Sequence, residues 1–585
     1  MKSGFIWTLL KTVLGLSLVW SFSMADTSCL GFYKPSKLNE SKISREIHFK
    51  NLNRSEYDVV IIGGGSAGLG SALDATTRGL KTLLVEADDF ASETSSKSTK
   101  LLHGGVRYLE QLWTKLLTQR EWDQTLYNLI RDALKERKTV IENAPNLAQP
   151  LALLTPIYSW AEVPYYWAGL KVYDLFAGKK GKLPNSHFIS AEQIKKLYPQ
   201  INANGLKGGV VYYDGQFNDS RLAIGLAKTA VANGATLLNH ARVVGFEKEG
   251  EKIVGVQVKD MISGESYTVK SKTVLNATGP FADKLRQMDD PSVPAMISGA
   301  SGTHLVLDKE FALPEAGILI PKTTDGRVLF VLPWEGKTLI GTTDSKSDVV
   351  EKPKTTEDDI AYLIKEVGQY LSQPITRADV KSYWTGIRPL VSDPSASDTA
   401  ALARDHVINR NPKTGLITLT GGKWTTYRVM GEHAIDQVMT QLGLDPKAVS
   451  SKTDHLKLAG SANWSFDNYK TLMNQYKLPS DIAIYLNRIY AGEAKNLLDT
   501  YPQGHERMSE GLPFIWSEVY YAVHFESARS ITDVLARRVR MATMDKLETK
   551  KVLDKVGKIL AQELGWSEDQ LKENLDKARV EFQIE

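Results

Sequence analysis

A single cysteine, Cys29, occurs among the 585 residues of the chain. One thiol can form neither a disulfide nor a thiolate metal site within a chain, and Cys29 lies upstream of the first folded motif, which argues against a cysteine nucleophile. A strong excess of one charge is also missing, because 72 basic and 68 acidic residues leave a net charge of +4. Proteins that bind nucleic acid carry a concentrated basic stripe. We therefore expect no metal site and no nucleic-acid partner.

A calcium-binding loop motif is absent from the sequence, and the apolar run of the N-terminus is short. No D-x-[DN]-x-[DN]-G loop occurs in the sequence, so we expect no calcium binding through EF-hands. The apolar run of the N-terminus, residues 12–25, is shorter than the ~20 residues that cross a membrane. With Lys2 and Lys11 and no acid before Asp26, it predicts a secretory signal, a mitochondrial sorting sequence or a short anchor. We interpret residues 1–54 as this targeting or anchor segment followed by a polar linker.

The first motif that carries chemistry is "YDVVIIGGGSAGLGSALDATTRGLKTLLVEADD". An apolar strand over Val59–Ile62 precedes a helix of small residues at 69–78, and a second apolar strand, Thr82–Val85, ends at Glu86. Three glycines fill the G-x-G-x-x-G pattern of the turn, namely Gly63, Gly65 and Gly68. Such glycines allow close approach of a pyrophosphate to a helix N-terminus, and the acid can bind a ribose hydroxyl. The motif predicts a dinucleotide site, with an ordinary glycine-rich turn as the alternative.

Two remote segments favour FAD over NAD as the nucleotide. "VLNATGPFADKL" and "LITLTGGKWTTYRVMGEHAI" each read as a strand, a turn of small residues and a helix. This geometry directs amide donors onto an anion or a flavin carbonyl. A buried flavin needs contacts from several separate segments, whereas a nicotinamide is a leaving co-substrate.

Several longer segments carry a resemblance to a known family. They are "GGGSAGLGSALDATTRGLKTLLVEADDF", "TSSKSTKLLHGGVRYLE", "VYYDGQFNDSRL", "NATGPFAD", "FVLPWEGKTLIGTTD", "GIRPLVSDP" and "GGKWTTYR". Their order over residues 57–541 resembles that of FAD-dependent glycerol-3-phosphate dehydrogenases of the mitochondrial form. Glu93, Lys97 and Ala403 depart from the family pattern, but they only flank the functional positions.

The resemblance, together with the motifs, assigns candidate residues to FAD. They are Gly63, Gly65, Gly68, Glu86, Thr94, Ser95, Ser98, Thr99, Lys100, His103, Gly105, Ala277, Thr278, Gly279, Gly422, Lys423 and Thr425.

The resemblance also implies the substrate, glycerol 3-phosphate, and the residues around it. These are Arg107, Tyr108, Arg388, Arg404 and Lys423. A small dianion in a desolvated pocket needs several cations, and arginine binds phosphate with two parallel hydrogen bonds. For any one of these cations alone, a surface ion pair is the alternative interpretation.

The implied reaction is hydride transfer from C2 of glycerol 3-phosphate to flavin N5, giving dihydroxyacetone phosphate. Loss of the C2 hydroxyl proton needs a base or a polarising cation. His103 and His304 are the candidates for the base, since histidine accepts protons near neutral pH. A buried histidine bonded to backbone is the alternative for each, and the sequence does not select between them. The predicted catalytic set is His103, His304, Arg107, Arg388 and Lys423.

For the fold, we predict an α/β FAD-binding Rossmann-like domain interleaved with an antiparallel-sheet substrate domain over residues 55–445. A helix at 221–233 and a hairpin turning near Ser263 belong to this region, and we expect the hairpin's sheet to form the substrate side of the flavin. The apolar periodicity of 3.6 in residues 446–585 predicts a helical C-terminal domain. We interpret its basic cluster as a solvated helix end: Arg537, Arg538 and Arg540.

Mitochondrial members of the family pass their electrons to ubiquinone, so the resemblance implies contact with a membrane. Residues 157–182 carry aromatics and lysines suited to a membrane interface: Trp160, Tyr165, Tyr166, Trp167, Lys179, Lys180 and Lys182. A helix buried by its aromatics is the alternative. We expect the protein at the intermembrane-space face of the mitochondrial inner membrane, with a homodimer as one option for its assembly.

Three other functions stay open at this point. A glycerol-3-phosphate oxidase would share the flavin and phosphate residues but reduce O₂. An amine or amino-acid oxidase of the same superfamily would bind a single carboxylate, which the four cations argue against. A flavin-binding scaffold without catalysis is the third.

Overall fold

Three β-sheets organise the part of the chain that the computed structural model describes, residues 41–52, 56–120, 122–177, 183–391 and 406–584. The strands are β1 Val59–Ile62, β2 Thr82–Val85, β3 Leu101–Leu102, β4 Ala148–Ile157, β5 His187–Ser190, β6 Gly208–Phe217, β7 Thr236–Leu238, β8 Ala241–Glu249, β9 Lys252–Asp260, β10 Ser266–Lys270, β11 Val274–Asn276, β12 Ile297–Asp308, β13 Ala316–Ile320, β14 Leu329–Trp334, β15 Lys337–Gly341, β16 Ser345–Lys346, β17 Ser382–Val391, β18 His406–Arg410 and β19 Ile417–Gly421.

The helices follow the same chain order. They are α1 Arg45–Asn51, α2 Ser66–Thr77, α3 Val106–Gln119, α4 Gln124–Asn143, α5 Val163–Ala177, α6 Ala191–Leu197, α7 Asp219–Ala232, α8 Ala282–Asp289, α9 Glu357–Gly368, α10 Tyr427–Gln441, α11 Asn468–Tyr476, α12 Ser480–Ile489, α13 Ala494–Thr500, α14 Ser517–Phe525, α15 Met541–Met544, α16 Lys546–Leu564 and α17 Glu568–Phe582.

The nucleotide-binding half is built on a six-stranded sheet with the order β18-β19-β11-β1-β2-β7. Its strands run parallel except β18, which pairs antiparallel with β19. Every residue of β1 and β2 is buried, as expected for parallel strands covered on both faces. Helix α2 packs against α10, where a Cβ on Gly431 would lie 2.7 Å from the carbonyl carbon of Gly70. The predicted Rossmann-like half is confirmed.

A ten-stranded sheet forms the other half, in the order β16-β12-β15-β14-β13-β4-β6-β3, with β17 paired to β12 and β5 to β6. Strands β12 and β17 pair antiparallel from Ile297 opposite Val391 to Val306 opposite Ser382. The predicted interleaving with the nucleotide-binding half is confirmed, since strands of both sheets alternate along the chain.

The predicted hairpin exists as β9 and β10, but its assignment to the substrate side was wrong. With β8 it forms a separate three-stranded sheet. The reason lies in its apolar face, because Val256, Val258 and Val269 pack into one cluster with Val60 and Leu83 of the parallel sheet. The predicted helix at 221–233 is α7, which begins earlier because the Asn218 side chain accepts a hydrogen bond from the amide of Arg221.

Helices α11–α17 form the C-terminal part, as predicted, but its basic cluster is not solvated. Arg537, Arg538 and Arg540 are all buried. A six-residue π-helical segment, Asp533–Arg538, turns two of them inward toward Asp89. The predicted domain boundaries at residues 54 and 445 stay predictions, and all described residues belong to one compact unit.

Candidate active site

One cavity of about 1190 Å³ is lined by residues of both large sheets. It contains the β1–α2 turn and the carboxyl end of β2 on one side, and residues of β12, β14 and β17 on the other. In α/β sheets ligands bind at the carboxyl ends of the strands. The cavity therefore lies where the sequence motifs predicted the cofactor.

The β1–α2 turn is built for close approach of a ligand to the backbone. Gly63 has φ +110°, which favours glycine. A Cβ on Gly68 would lie 1.8 Å from the carbonyl oxygen of Gly63, and one on Gly63 would lie 2.6 Å from that of Ala277. Gly65 caps α2, whose N-terminus opens on the cavity. This cradle fits a dinucleotide pyrophosphate.

Glu86 lies on the cavity wall directly after β2. Its carboxylate accepts hydrogen bonds from the amides of Gly64, at 2.6 Å, and Asp88, at 2.8 Å. Burial raises the pKa of Glu86 to about 7, although both amide bonds oppose this shift. The side chain is thus held at the position expected for a ribose contact.

The segment after β2 forms a second wall of the cavity. Thr94 donates to the carbonyl of Ile387 at 2.7 Å, and the Ser95 hydroxyl accepts from the amide of Ser66 at 3.0 Å. The indole of Trp424 donates to the Ser95 carbonyl at 2.8 Å. Four predicted cofactor residues of this segment line the cavity: Thr94, Ser95, Ser98 and Thr99.

Lys100 was predicted to contact FAD, but unlike the other predicted residues of this segment it does not face the cavity. It is fully buried, does not line the cavity, and pairs with Asp219 while donating to the carbonyl of Ser96 at 2.7 Å. Burial lowers the pKa of Lys100 to about 7; Arg540 adds to this shift and Asp219 opposes it. The structure thus places Lys100 behind the cavity wall.

The remote segments that predicted a flavin also meet the cavity. After β11, Ala277 donates its amide to the carbonyl of Ile62, and Gly279 has φ +56°. After β19, Gly422 has φ +71° and precedes the short 3₁₀ helix Trp424–Thr426. The predicted residues from these turns all line the cavity: Ala277, Thr278, Gly279, Gly422, Lys423 and Thr425.

Strands β12 and β17 bring His304 and Arg388 to the same face. Arg388 lies opposite Ala300, and Trp384 lies opposite His304, so alternation places these side chains on one side of the sheet. Glycines make room for them. A Cβ on Gly302 would lie 2.5 Å from an Arg388 guanidinium nitrogen.

The Arg388 guanidinium is oriented by the chain that follows β15. It pairs with the Asp344 carboxylate at 3.0 Å and donates to the Thr342 hydroxyl at 3.1 Å and the Thr343 carbonyl at 3.0 Å. The side chain is 29% exposed and lines the cavity. Arg388 is therefore a fixed, partly solvated cation at the cavity wall.

His304 is buried at the cavity wall between Thr99 and Trp384. Its Nε2 lies 2.9 Å from the Thr99 hydroxyl, and its ring stacks on Trp384 with centroids 5.4 Å apart. Among the described residues, Nδ1 has no hydrogen-bond partner. Burial, with the charges of Lys100 and Arg388, holds the pKa of His304 well below its usual 6.5. The imidazole is neutral at neutral pH.

The segment His103–Tyr108 completes this end of the cavity. His103, Gly105 and Tyr108 line it, and Gly105 has φ +87° at the start of α3. The Lys423 ammonium lies 4.0 Å from the centre of the Tyr108 ring. The Thr425 hydroxyl contacts the carbonyl of His103 at 3.4 Å. Residues from two distant motifs thus meet here.

Two predicted substrate residues cannot be placed in the same way. Arg107 lies at the second position of α3, but its side chain is outside the described part of the chain. Arg404 lies outside the described residues altogether. Both assignments stay predictions.

Three neighbours of the site were missed by the sequence reasoning: Asp219, Asp344 and Trp384. Asp219 and Asp344 were inside segments that carry the family resemblance, "VYYDGQFNDSRL" and "FVLPWEGKTLIGTTD". Trp384 lies two residues before "GIRPLVSDP". Only the pairing of β12 with β17 shows that Trp384 supports a histidine.

The aromatic helix α5 has two different sides. Leu170 and Tyr166 line the cavity, whereas Trp167 is 47% exposed and Trp160, just before the helix, is 64% exposed. The side chain of Tyr165 and residues 178–182, with their lysines, lie outside the described part. No helix of the described residues has the length and apolar character to cross a membrane.

Comparisons with known proteins agree with this architecture. A family model described as FAD dependent oxidoreductase matches residues 58–436, and one described as the C-terminal domain of alpha-glycerophosphate oxidase matches residues 451–571. The probable mitochondrial glycerol-3-phosphate dehydrogenase of Caenorhabditis elegans is 43% identical, over 92% of this chain and 74% of its own. The Homo sapiens mitochondrial glycerol-3-phosphate dehydrogenase is 39% identical, over 97% of this chain and 80% of its own.

Among solved structures, the glycerol-3-phosphate dehydrogenase of Bacillus halodurans, complexed with FAD, superposes with a TM-score of 0.75. It is 28% identical, and the match covers 93% of this chain and 98% of that one. Together with the family model, these matches confirm the predicted fold class and the predicted FAD cofactor.

Proposed function

Because the chain belongs to the FAD-dependent, mitochondrial-type glycerol-3-phosphate dehydrogenases, we propose that it oxidises sn-glycerol 3-phosphate to dihydroxyacetone phosphate and passes the electrons to membrane ubiquinone. The observation that carries this proposal is the continuity of the cavity. It joins the glycine cradle of the nucleotide to the wall that holds Arg388, Lys423 and His304.

The cations of this wall suit the phosphate of the substrate. Arg388 is held in one orientation by Asp344 and Thr342, so little side-chain entropy is lost when a phosphate binds. Lys423 lies against the Tyr108 ring on the same cavity. We assign both to the phosphate, together with Arg107 and Arg404, whose assignment rests on the sequence.

When bound, FAD supplies the hydride acceptor at N5. The chain contributes a neutral imidazole, His304, whose Nε2 is fixed by Thr99. A neutral imidazole offers a lone pair to the C2 hydroxyl proton, and the negative charge of a bound substrate phosphate would raise the pKa of the imidazole from its depressed value. We assign proton acceptance to His304 or to His103, which lines the same cavity.

The electron acceptor is proposed to be ubiquinone in the mitochondrial inner membrane, on the intermembrane-space face. The exposed indoles of Trp160 and Trp167 support contact with a membrane surface, since tryptophan favours the interface between water and lipid. The inward side of α5 lines the cavity, so this helix links the exposed indoles to the active site. Homodimerisation stays a prediction.

The test is the visible spectrum of the purified holoenzyme under argon. Addition of glycerol 3-phosphate should bleach the flavin band, and a soluble ubiquinone analogue should restore it. An unchanged oxidised spectrum would overturn the dehydrogenase proposal. Measurement of peroxide in air separates the acceptors, because rapid, stoichiometric peroxide without quinone reduction would make the protein an oxidase.

A further inference from the structure

Three arginines of the C-terminal part are buried in the nucleotide-binding half of the molecule. The side chains of Arg537, Arg538 and Arg540 are 2%, 0% and 3% exposed. A buried guanidinium is strongly unfavourable unless carboxylates and carbonyls satisfy it. Each has at least one acceptor far away in the sequence, in or beside the cavity wall formed by residues 86–99. Nearby acceptors add to these, since Arg537 also pairs with Asp533 and Arg538 also donates to the carbonyl of Glu526.

The first two arginines converge on Asp89. Arg538 binds its two carboxylate oxygens at 2.7 and 2.8 Å, a bidentate pair, and Arg537 adds a bond at 2.7 Å. Asp89 is fully buried and follows Glu86, Ala87 and Asp88, which line the nucleotide end of the cavity. These contacts fix the chain where it leaves β2.

The third arginine reaches the other end of the same segment. Arg540 pairs with Asp219 and contacts the carbonyl of Ser96 at 3.4 Å. Asp219 in turn accepts from the Ser98 hydroxyl at 2.8 Å and pairs with Lys100. Between Ser98 and Lys100 lies Thr99, the residue that meets His304.

The carboxylates of Asp89 and Asp219 hold different parts of the cavity wall. Asp89 follows the predicted ribose contact, whereas Asp219 holds the residues that meet His304. A wall segment that is fixed at both ends keeps its cofactor- and substrate-binding side chains in place. Displacement of such side chains by about 1 Å can lower the reaction rate about a hundredfold.

We propose that Arg537, Arg538 and Arg540 are positioning residues for the cofactor and the active site. Arg537 and Arg538 fix the nucleotide end of the cavity wall through Asp89. Arg540 fixes the end beside His304 through Asp219. The C-terminal part is thereby a component of the active site, and this inference rests on the proposed dehydrogenase function.

The experiment compares Arg538→Met with Arg540→Met in the full-length holoenzyme. Arg540→Met leaves Asp219 paired with Lys100, so no carboxylate is stranded. It should retain FAD and lower kcat about ten- to a hundredfold, with a small change in KM. Arg538→Met should instead weaken FAD binding about tenfold or more, and saturating FAD should restore most of the activity. Arg540→Lys, which keeps the charge, should recover part of kcat.

Arg507→Met is the matched control, because Arg507 pairs with the exposed Asp481 on the same C-terminal part. It should resemble wild type in FAD content and kcat. Thermal unfolding of all variants separates positioning from stability. If Arg540→Met and Arg538→Met lose only stability, with FAD affinity and kcat equal to the control at low temperature, the positioning role is wrong. Failure of wild-type protein to be reduced by glycerol 3-phosphate would instead contradict the proposed function.

Discussion

The hydroxyl of Thr99 lies 2.9 Å from Nε2 of His304. The two residues are separated by more than 200 positions, since Thr99 lies in the connection from β2 to β3 and His304 lies on β12. This contact closes the cavity wall at the point where substrate and flavin are proposed to meet. It also fixes the imidazole orientation together with the stacked ring of Trp384.

Replacement of Thr99 by valine should lower kcat by about three- to tenfold, because one buried hydrogen bond contributes about 0.5 to 1.5 kcal/mol. Valine has nearly the same shape, so FAD content should stay unchanged. Thr99→Ser retains the hydroxyl and should keep most of the activity. The measurement is steady-state reduction of a dye by glycerol 3-phosphate. Equal loss in the valine and serine variants would show that packing, and not the hydroxyl, matters.

His304 should make the protein less stable in mild acid. Its pKa is held well below the usual 6.5 by burial and by the charges of Lys100 and Arg388. At a pH between the depressed pKa of the native protein and the ordinary pKa of about 6.5, the imidazole binds a proton in the unfolded chain but not in the native protein. The free energy of unfolding therefore falls as the pH falls below about 6.5, by up to about 1.4 kcal/mol per pH unit.

The measurement is urea unfolding of wild type and His304→Gln at about pH 7.5 and about pH 5. The variant should lose less stability between the two conditions, whatever its stability at neutral pH. His455→Gln serves as the control, because that side chain is 87% exposed. An identical acid loss in wild type and His304→Gln would contradict the depressed pKa.

Local pattern predicted the nucleotide-binding half well. The apolar runs of β1 and β2, the glycines between them and Glu86 lie within about thirty residues, where spacing and backbone sterics determine the structure. The same holds for the turns after β11 and β19, which were recognised as strand, small-residue turn and helix.

Long-range pairing could not be predicted from the pattern. Nothing local in "SGTHLVL" or "GIRPL" determines that β12 pairs with β17 in the register that places His304 and Arg388 on one face. The prediction that the basic cluster is solvated was wrong for a related reason. Arginines near a helix end are usually solvated, and Asp89, one of the two buried carboxylates that pair with Arg537, is 448 residues away.

Removal of the Arg388 guanidinium should weaken catalysis with little effect on FAD. We expect Arg388→Met to lower kcat/KM for glycerol 3-phosphate about ten- to a hundredfold, equivalent to about 1.5 to 3 kcal/mol for hydrogen bonds to a charged group. Arg377→Met, which breaks a surface pair with Glu357, is the control. Loss of FAD with retained turnover by the remaining holoenzyme would contradict the phosphate assignment.

Addition of one methyl group at Gly68 should impair cofactor binding. The new Cβ of Gly68→Ala would lie 1.8 Å from the backbone oxygen of Gly63, so the β1–α2 turn must shift. Overpacking of this kind costs about 1 to 3 kcal/mol, and we expect FAD affinity to fall about tenfold or more. Gly368→Ala meets no atom within 4 Å and should bind FAD normally. The flavin-to-protein absorbance ratio measures both.

The exposed indoles beside α5 should determine attachment to membranes. Trp160 and Trp167 are 64% and 47% exposed, and indoles gain free energy at the interface between lipid headgroups and acyl chains. The double variant Trp160→Ser/Trp167→Ser should bind anionic phospholipid vesicles about tenfold more weakly in a sedimentation assay.

Reduction of a water-soluble dye by the double variant should be unaffected, because neither indole lines the cavity. Phe466→Ser provides the matched control, since that ring is 51% exposed in the C-terminal part. Reduction of a long-chain quinone embedded in vesicles should fall in the double variant alone. Equal vesicle binding by all three proteins would exclude this face of the molecule as the membrane contact and leave the dehydrogenase chemistry untouched.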